Sequence, residues 1–130
     1  MTAPRAFIVG LAGAQLGASE RLFLSDAQPW GVILFGRNVV DPDQLRGLCA
    51  DIRAAAGRDL PILIDQEGGR VQRIGPPHWA AFPPALDQAM AAGDARRAMW
   101  LRGRLLAAQL AGVGIDVNCA PVADIAGPAT

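Results

Sequence analysis

The segment Pro61-Ile-Leu-Ile-Asp-Gln-Glu-Gly-Gly-Arg-Val-Gln-Arg-Ile74 decides both the fold of this chain and the position of its polar site. Its first four residues are an apolar run, which we interpret as a buried strand, and acidic residues, a glycine pair and arginines follow in that order. Side chains at the carboxyl end of a parallel strand face the crevice in which α/β proteins bind ligands. Because carboxylates accept hydrogen bonds and a guanidinium donates several, the segment is suited to bind a polyhydroxylated molecule.

Apolar runs and helix signals are spaced along the rest of the chain. Capping residues, a proline in the first turn and terminal glycines mark the helix ends. The predicted elements are a strand at Phe7–Val9, a helix at Ser19–Ser25 with Ser19 as N-cap, a strand at Gly31–Phe35, a helix opened by Asp41-Pro42 and closed by Gly57, a strand at Pro61–Ile64, a long irregular segment from Asp65 to about Pro84, a helix from about Ala95 to Ala111 capped by Asp94, and a strand at Ile115–Asn118.

This order of elements predicts a parallel sheet covered by helices, which is the α/β fold class. The inner face of the last helix is expected to consist of Ala98, Leu101, Leu105 and Ala108. No linker or second zone of composition divides the 130 residues, which indicates a single domain. Since a closed (β/α) barrel takes about 250 residues, the chain is expected to be the amino-terminal part of one, and its end is interpreted as a truncation.

Composition argues against several classes of protein. Twelve acidic residues balance twelve basic ones, so charge favours neither a nucleic-acid nor an anionic-membrane partner, and no apolar run approaches the roughly 18 residues of a membrane helix. Cys49 and Cys119 are interpreted as two buried free thiols, and the single His78 cannot build a metal centre alone. The apolar start loosely mimics a signal peptide, but glycines interrupt it and a first strand is preferred.

Three segments carry a resemblance to a known family. They are Gly31-Val-Ile-Leu-Phe-Gly-Arg-Asn38, Leu63-Ile-Asp-Gln-Glu-Gly-Gly-Arg-Val-Gln-Arg73 and Asp116-Val-Asn-Cys-Ala-Pro-Val-Ala-Asp124. In this order and spacing they resemble glycoside hydrolase family 3, and within it the bacterial β-N-acetylhexosaminidases of peptidoglycan recycling. The core from Asp65 to Arg73 is the most specific part, and together the segments span almost the whole chain.

The resemblance implies a (β/α)₈ barrel that removes terminal β-linked N-acetylglucosamine from peptidoglycan-derived muropeptides with retention of configuration. It implies a cytoplasmic enzyme that uses neither a metal nor an organic cofactor. The positions that match the family's substrate-binding residues are Asp65 and Arg73, which would hold hydroxyls of the non-reducing-end sugar. A small carbohydrate is therefore the implied partner.

The family's chemistry lies elsewhere in its sequence pattern. Its nucleophilic Asp, its Asp-His acid/base pair and a sugar-binding Lys-His segment all match positions beyond residue 130, and His78 matches neither family histidine. The resemblance therefore implies that these 130 residues contain no catalytic residue and are inactive alone.

Several local interpretations remain open on the residues alone. Glu67 and Arg70 are expected to pair and stiffen the turn, whereas an acid-and-nucleophile role for Asp65 and Glu67 is disfavoured because residues i and i+2 of a strand point to opposite sides. The residues that either line the crevice or only stabilise loops are Arg37, Asn38, His78, Asn118 and Asp124.

Two other functions remain open as well. A family 3 β-glucosidase would carry the same pair, because Asp65 and Arg73 contact ring hydroxyls and not the N-acetyl group. A non-catalytic half-barrel carbohydrate-binding module is the alternative from a different class, since an open half barrel exposes strand edges that invite pairing.

Overall fold

The structure is a computed structural model that describes residues 3–124. Its elements in chain order are β1 (Arg5–Gly10), α1 (Ala18–Ala27), β2 (Pro29–Leu34), a 3₁₀ turn (Gly36–Asn38), α2 (Pro42–Ala56), β3 (Ile62–Ile64), β4 (Gln66–Gly68), β5 (Val71–Gln72), α3 (Ala85–Ala91), α4 (Ala95–Ala111) and β6 (Val117–Asn118). In this part of the chain, no helix is long and apolar enough to cross a membrane.

Four strands form one parallel sheet in the order β1-β2-β3-β6. Leu34 lies opposite Ile64 and Ile64 lies opposite Asn118, so the carboxyl ends of β2, β3 and β6 finish at the same edge. The predicted parallel α/β arrangement is confirmed. This edge brings together the residues that follow three strands distant in sequence.

Local signals located most helix ends correctly. The Asp41 carboxylate accepts a hydrogen bond from the Gln44 amide at 2.8 Å, Pro42 occupies the first turn of α2, and Gly57 ends the helix at a φ of 66°. Asp94 caps α4 in the same way. The predicted cap Ser19 is wrong, because α1 begins at Ala18 and the Glu20 carboxylate accepts hydrogen bonds from the preceding loop instead.

The face that α4 turns to the interior differs from the predicted one. Leu101 and Leu105 are 41% and 57% exposed, and Ala108 is exposed as well. The buried residues of α4 are Arg102, Leu106 and Leu110. The helix is rotated by about one residue from the expectation because its inner face contains a charged side chain, which an apolar pattern skips.

The remaining corrections concern the long segment and one cysteine. Residues 65–84 contain the antiparallel pair β4-β5, and α3 follows directly after Pro84, so the segment is less irregular than predicted. Both cysteines are free, as predicted, and Cys49 is buried in the core. Cys119 is exposed, so its predicted burial is wrong. It lies just beyond β6, at the edge where the strands end.

Candidate functional site

An acid–base pair occupies the carboxyl edge of the sheet. Asp65 directly follows β3, and Arg73 reaches it from the segment after β5, where its Nη2 donates a hydrogen bond to Asp65 Oδ2 at 3.0 Å. Both side chains are partly buried, with 23% of Asp65 and 29% of Arg73 exposed. The structure therefore brings the two predicted site residues into contact, at a place where each still faces solvent. Their role in binding a substrate remains a prediction.

A buried glutamine fixes the backbone between these two residues. Gln66 is fully buried, and its Oε1 accepts hydrogen bonds from the amides of Arg73 and Ile74 at 2.8 and 3.1 Å. Its Nε2 donates to the Ile74 carbonyl at 2.7 Å. These three bonds tie the start of the segment to its end and hold Arg73 beside Asp65. The sequence interpretation did not single out Gln66, although strand alternation places it on the side opposite Asp65 and therefore inward.

Asn118 is the last residue of β6, and its side chain extends the pairing with the neighbouring strand. Its side-chain Oδ1 accepts a hydrogen bond from the Gln66 amide, and its Nδ2 donates to the Gln66 carbonyl, both at 2.9 Å. The carboxamide thus pairs with a backbone unit as a neighbouring strand does. Of the two roles left open for Asn118, satisfying strand-end backbone groups is the one that the structure shows.

The glycine pair makes the sharp turn between β4 and β5. Gly68 and Gly69 have φ angles of 93° and 60°, a region that side chains other than glycine adopt only with strain. The Gly69 amide donates to the Phe82 carbonyl at 2.7 Å. A Cβ on Gly68 would lie 2.8 Å from the Pro83 carbonyl oxygen. Both conformation and space therefore require glycine at position 68.

An aromatic ring lies beneath the arginines of the site. The guanidinium carbons of Arg37 and Arg73 lie 4.7 and 5.9 Å from the centre of the Phe35 ring. Arg37 also donates from Nε to the Leu11 carbonyl at 2.7 Å. Asn38 is buried and donates to the Gly13 carbonyl while accepting from the Phe35 amide, each at 2.8 Å. Asn38 is therefore a loop-stabilising residue, and Arg37 joins the loop after β1 to the site.

The Cys119 thiol is electrostatically coupled to Asp65. Partial burial raises the pKa of Cys119, and the Asp65 carboxylate raises it further because its negative charge disfavours the thiolate. The Cys119 amide donates to the Ile64 carbonyl at 2.9 Å, which sets the residue alongside β3. The site thus has a thiol next to its carboxylate.

Other predicted contacts are not formed. Neither Glu67 nor Arg70 takes part in an ion pair within residues 3–124, so their predicted pairing is wrong. The reason is that Gly68 and Gly69 turn the chain between them and Arg70 projects into solvent. His78 is exposed and lies edge-on to Trp79, with ring centres 5.7 Å apart. Asp124 is exposed at the end of the described range.

The family of this chain is shown by its sequence over almost its whole length. The sequence pattern described as the glycosyl hydrolase family 3 N terminal domain matches residues 8–129. The chain belongs to this family. The resemblance predicted from three segments is therefore confirmed.

The relatives that this chain matches are substantially longer proteins. The chain is 41% identical over 122 residues to a β-hexosaminidase of Stenotrophomonas maltophilia, covering 91% of this chain and 36% of that protein. It is 41% identical over 116 residues to a β-hexosaminidase of Methylococcus capsulatus, covering 88% and 34%. Each match thus takes in about a third of the relative's length.

Among solved structures, NagZ from Neisseria gonorrhoeae in complex with N-trifluoroacetyl-D-glucosamine superposes with a TM-score of 0.85 at 34% identity. The superposition covers 94% of this chain and 38% of that one. The family 3 chain therefore has the α/β fold predicted from its sequence, as the amino-terminal part of the family's barrel. Within residues 3–124, no group of three or more His, Cys, Asp or Glu side chains is placed to hold a metal ion.

Proposed function

We propose that this chain forms part of the sugar-binding subsite of a glycoside hydrolase that removes terminal β-linked N-acetylglucosamine. The observation that carries the proposal is the contact of Asp65 with Arg73 at the carboxyl edge of a family 3 sheet. It is supported by the structural relative from Neisseria gonorrhoeae, which was solved with an N-acylated glucosamine. Asp65 and Arg73 are the residues proposed to hold the sugar.

The pair suits a neutral sugar. Asp65 accepts from Arg73 through Oδ2, so its second oxygen can accept from a hydroxyl, while a guanidinium has five donors to share between protein and ligand. The opposite charges of the pair cancel, which matches a ligand without charge. Hydrogen bonds that involve a charged group are stronger than neutral ones, so a sugar hydroxyl in this position would be oriented firmly.

We propose that the reaction is hydrolysis of an O-glycosyl bond with retention of configuration. A retaining enzyme needs a carboxylate nucleophile and an acid/base about 5 Å apart on either side of the bond. Asp65 is engaged with Arg73, and the nucleophile and the acid/base are proposed to come from the part of the family's barrel that this chain does not contain. These 130 residues are then expected to be inactive by themselves.

The proposed substrates are muropeptides derived from peptidoglycan, and the proposed location is the cytoplasm. The names of the relatives support β-hexosaminidase activity, and the finer assignment to peptidoglycan recycling is an inference from the family resemblance. A matched pair of aryl glycosides tests the sugar. The complete gene product is assayed for nitrophenol release from the N-acetyl-β-glucosaminide and from the β-glucoside at equal concentrations.

Preference for the acetamido sugar supports the proposal, and loss of that turnover in Asp65→Ala supports the assigned residue. Preference for the glucoside would keep the family and replace the substrate, because the Asp65–Arg73 pair contacts hydroxyls in either sugar. Turnover of neither glycoside, combined with measurable binding of N-acetylglucosamine, would favour the non-catalytic binding module. The three outcomes are distinguishable in a single plate assay with one calorimetric titration.

A further inference from the structure

Arg102 is a charged residue in a position where charges are rare. It lies on the inner face of α4 and is only 4% exposed. Arginines are seldom buried to this extent without a partner of opposite charge, yet none of the ion pairs formed within residues 3–124 includes Arg102. Burial also lowers the pKa of Arg102 from its usual value. The guanidinium remains charged at neutral pH all the same, because arginine does not lose its proton in proteins.

The partners of Arg102 are neutral groups from three separate segments. Its Nη2 donates to the Glu67 carbonyl of β4, and its Nη1 donates to the Gln88 side chain of α3. Its guanidinium carbon lies 5.3 Å from the centre of the Phe82 ring. Arg102 therefore joins α4 to α3 and to the loop that carries the site. A guanidinium suits this junction, because its planar fork donates in several directions at once.

The contact with Glu67 falls between the two proposed sugar-binding residues. The Glu67 carbonyl is two residues after Asp65 and directly before the Gly68-Gly69 turn, which leads to Arg73. A Cβ placed on Gly68 would collide with the Arg102 guanidinium, as well as with the backbone of Pro83. The glycine thus leaves the space that the arginine occupies. Gln66 fixes this turn from within the segment, whereas Arg102 fixes it from outside.

We propose that Arg102 is a positioning residue for the sugar subsite, which holds the β4-β5 turn and thereby sets the placement of Arg73 against Asp65. This inference rests on the function proposed above. Arg102 does not contact the sugar in this arrangement and acts through the backbone of Glu67. Its removal weakens the attachment of the turn, which then rests on the bond from the Gly69 amide to Phe82, the contacts of Gln72 with the segment before α3, and the bonds of Gln66 with Asn118 at the start of β4.

The test compares four variants of the complete gene product. Arg102→Met removes the charge and keeps the aliphatic stem, and Arg102→Lys keeps the charge without the fork. Arg104→Met is the matched control, because Arg104 lies on the same helix, is exposed, and stacks on Trp100 at 5.5 Å. Leu106→Ala is the stability control, since Leu106 is buried on the same face of α4 and is not among the partners of the turn.

Two measurements are made on each variant. Hydrogen exchange of the peptide spanning residues 66–74 is expected to speed up by about tenfold or more in Arg102→Met and to stay unchanged in Arg104→Met. The affinity for N-acetylglucosamine and kcat/KM for the aryl glycoside are expected to fall by roughly 10- to 100-fold in Arg102→Met, as a displacement of about 1 Å in a binding group produces. The affinity and kcat/KM of Arg102→Lys are expected to lie between those of wild type and Arg102→Met.

The proposal is overturned if Leu106→Ala and Arg102→Met lower Tm equally and also lose the same sugar affinity, since Arg102 would then act only through global stability. It is also overturned if exchange of residues 66–74 does not change in Arg102→Met or, should that variant not fold, in Arg102→Lys. A wild-type protein without activity or sugar affinity would refute the proposed function separately. In that case the exchange experiment still decides whether Arg102 positions the turn.

Discussion

Replacing Gln66 tests the internal support of the site most directly. The side chain is fully buried and makes three hydrogen bonds, all to backbone groups of Arg73 and Ile74. Gln66→Leu keeps the approximate size and leaves two N–H groups and one carbonyl without this partner. Each buried backbone group left unsatisfied costs about 1–3 kcal/mol. Because the segment can relax partly toward solvent, we expect a loss of about 3–6 kcal/mol in the free energy of unfolding.

Such a loss is a large share of the roughly 5–15 kcal/mol that stabilises a typical domain. Urea denaturation of the complete gene product, followed by fluorescence and by circular dichroism, measures it. Gln15→Leu is the control, since Gln15 is exposed and should change the free energy by less than about 0.5 kcal/mol. A loss below about 1 kcal/mol for Gln66→Leu would refute the reasoning, because solvent or neighbouring groups would then replace the amide at little cost.

Further outcomes are expected at the carboxyl edge, for catalysis and for the reactivity of the cysteines. Asp65→Ala removes a charged acceptor and leaves Arg73 without its partner, so kcat/KM for the aryl glycoside should fall by at least about 100-fold. A change within about twofold would disprove the proposed role of Asp65 in holding the sugar. Calorimetry with N-acetylglucosamine measures the accompanying loss of affinity. Iodoacetamide, followed by intact mass, should label exposed Cys119 before Cys49, whose pKa burial raises to about 11. Because the pKa of Cys119 is also raised, its labelling rate should still be rising at pH 9, and a plateau by pH 8.5 would contradict the raised pKa. Asp65→Asn should speed the labelling of Cys119 at pH 8, because it removes the charge that disfavours the thiolate.

Features set by neighbouring residues were predictable from the sequence. The strands at β2 and β3 are short apolar runs, and the caps Asp41 and Asp94 each bond an amide three residues ahead, so both signals lie within one turn. The contact of Asp65 with Arg73 was also within reach, because both residues flank one glycine turn. The family resemblance supplied their proposed role.

Features set by distant partners were not predictable in the same way. The interior face of α4 was misjudged because Arg102 is buried with hydrogen-bond partners that are distant in sequence, the Glu67 carbonyl and Gln88, which lie 35 and 14 residues away. The predicted pairing of Glu67 with Arg70 failed because sequence proximity says nothing about the direction in which a glycine turn sends each side chain. The two-residue strand β5 is too short to show any period.

The side chains that fix the backbone of the site differ in chemical kind from those that are proposed to bind the sugar. Asp65 and Arg73 are charged, whereas the side chains that fix the backbone around them from within, Gln66 and Asn118, are carboxamides. A carboxamide offers both a donor and an acceptor and does not titrate, so it can replace a backbone partner at any physiological pH. Within residues 3–124, the two carboxamides that fix the backbone around Asp65 and Arg73 from within therefore keep their hydrogen bonds as the pH changes. A loss of turnover at mildly acidic or basic pH should then arise from ionisation of the catalytic groups, with the affinity for the sugar changing little over the same range.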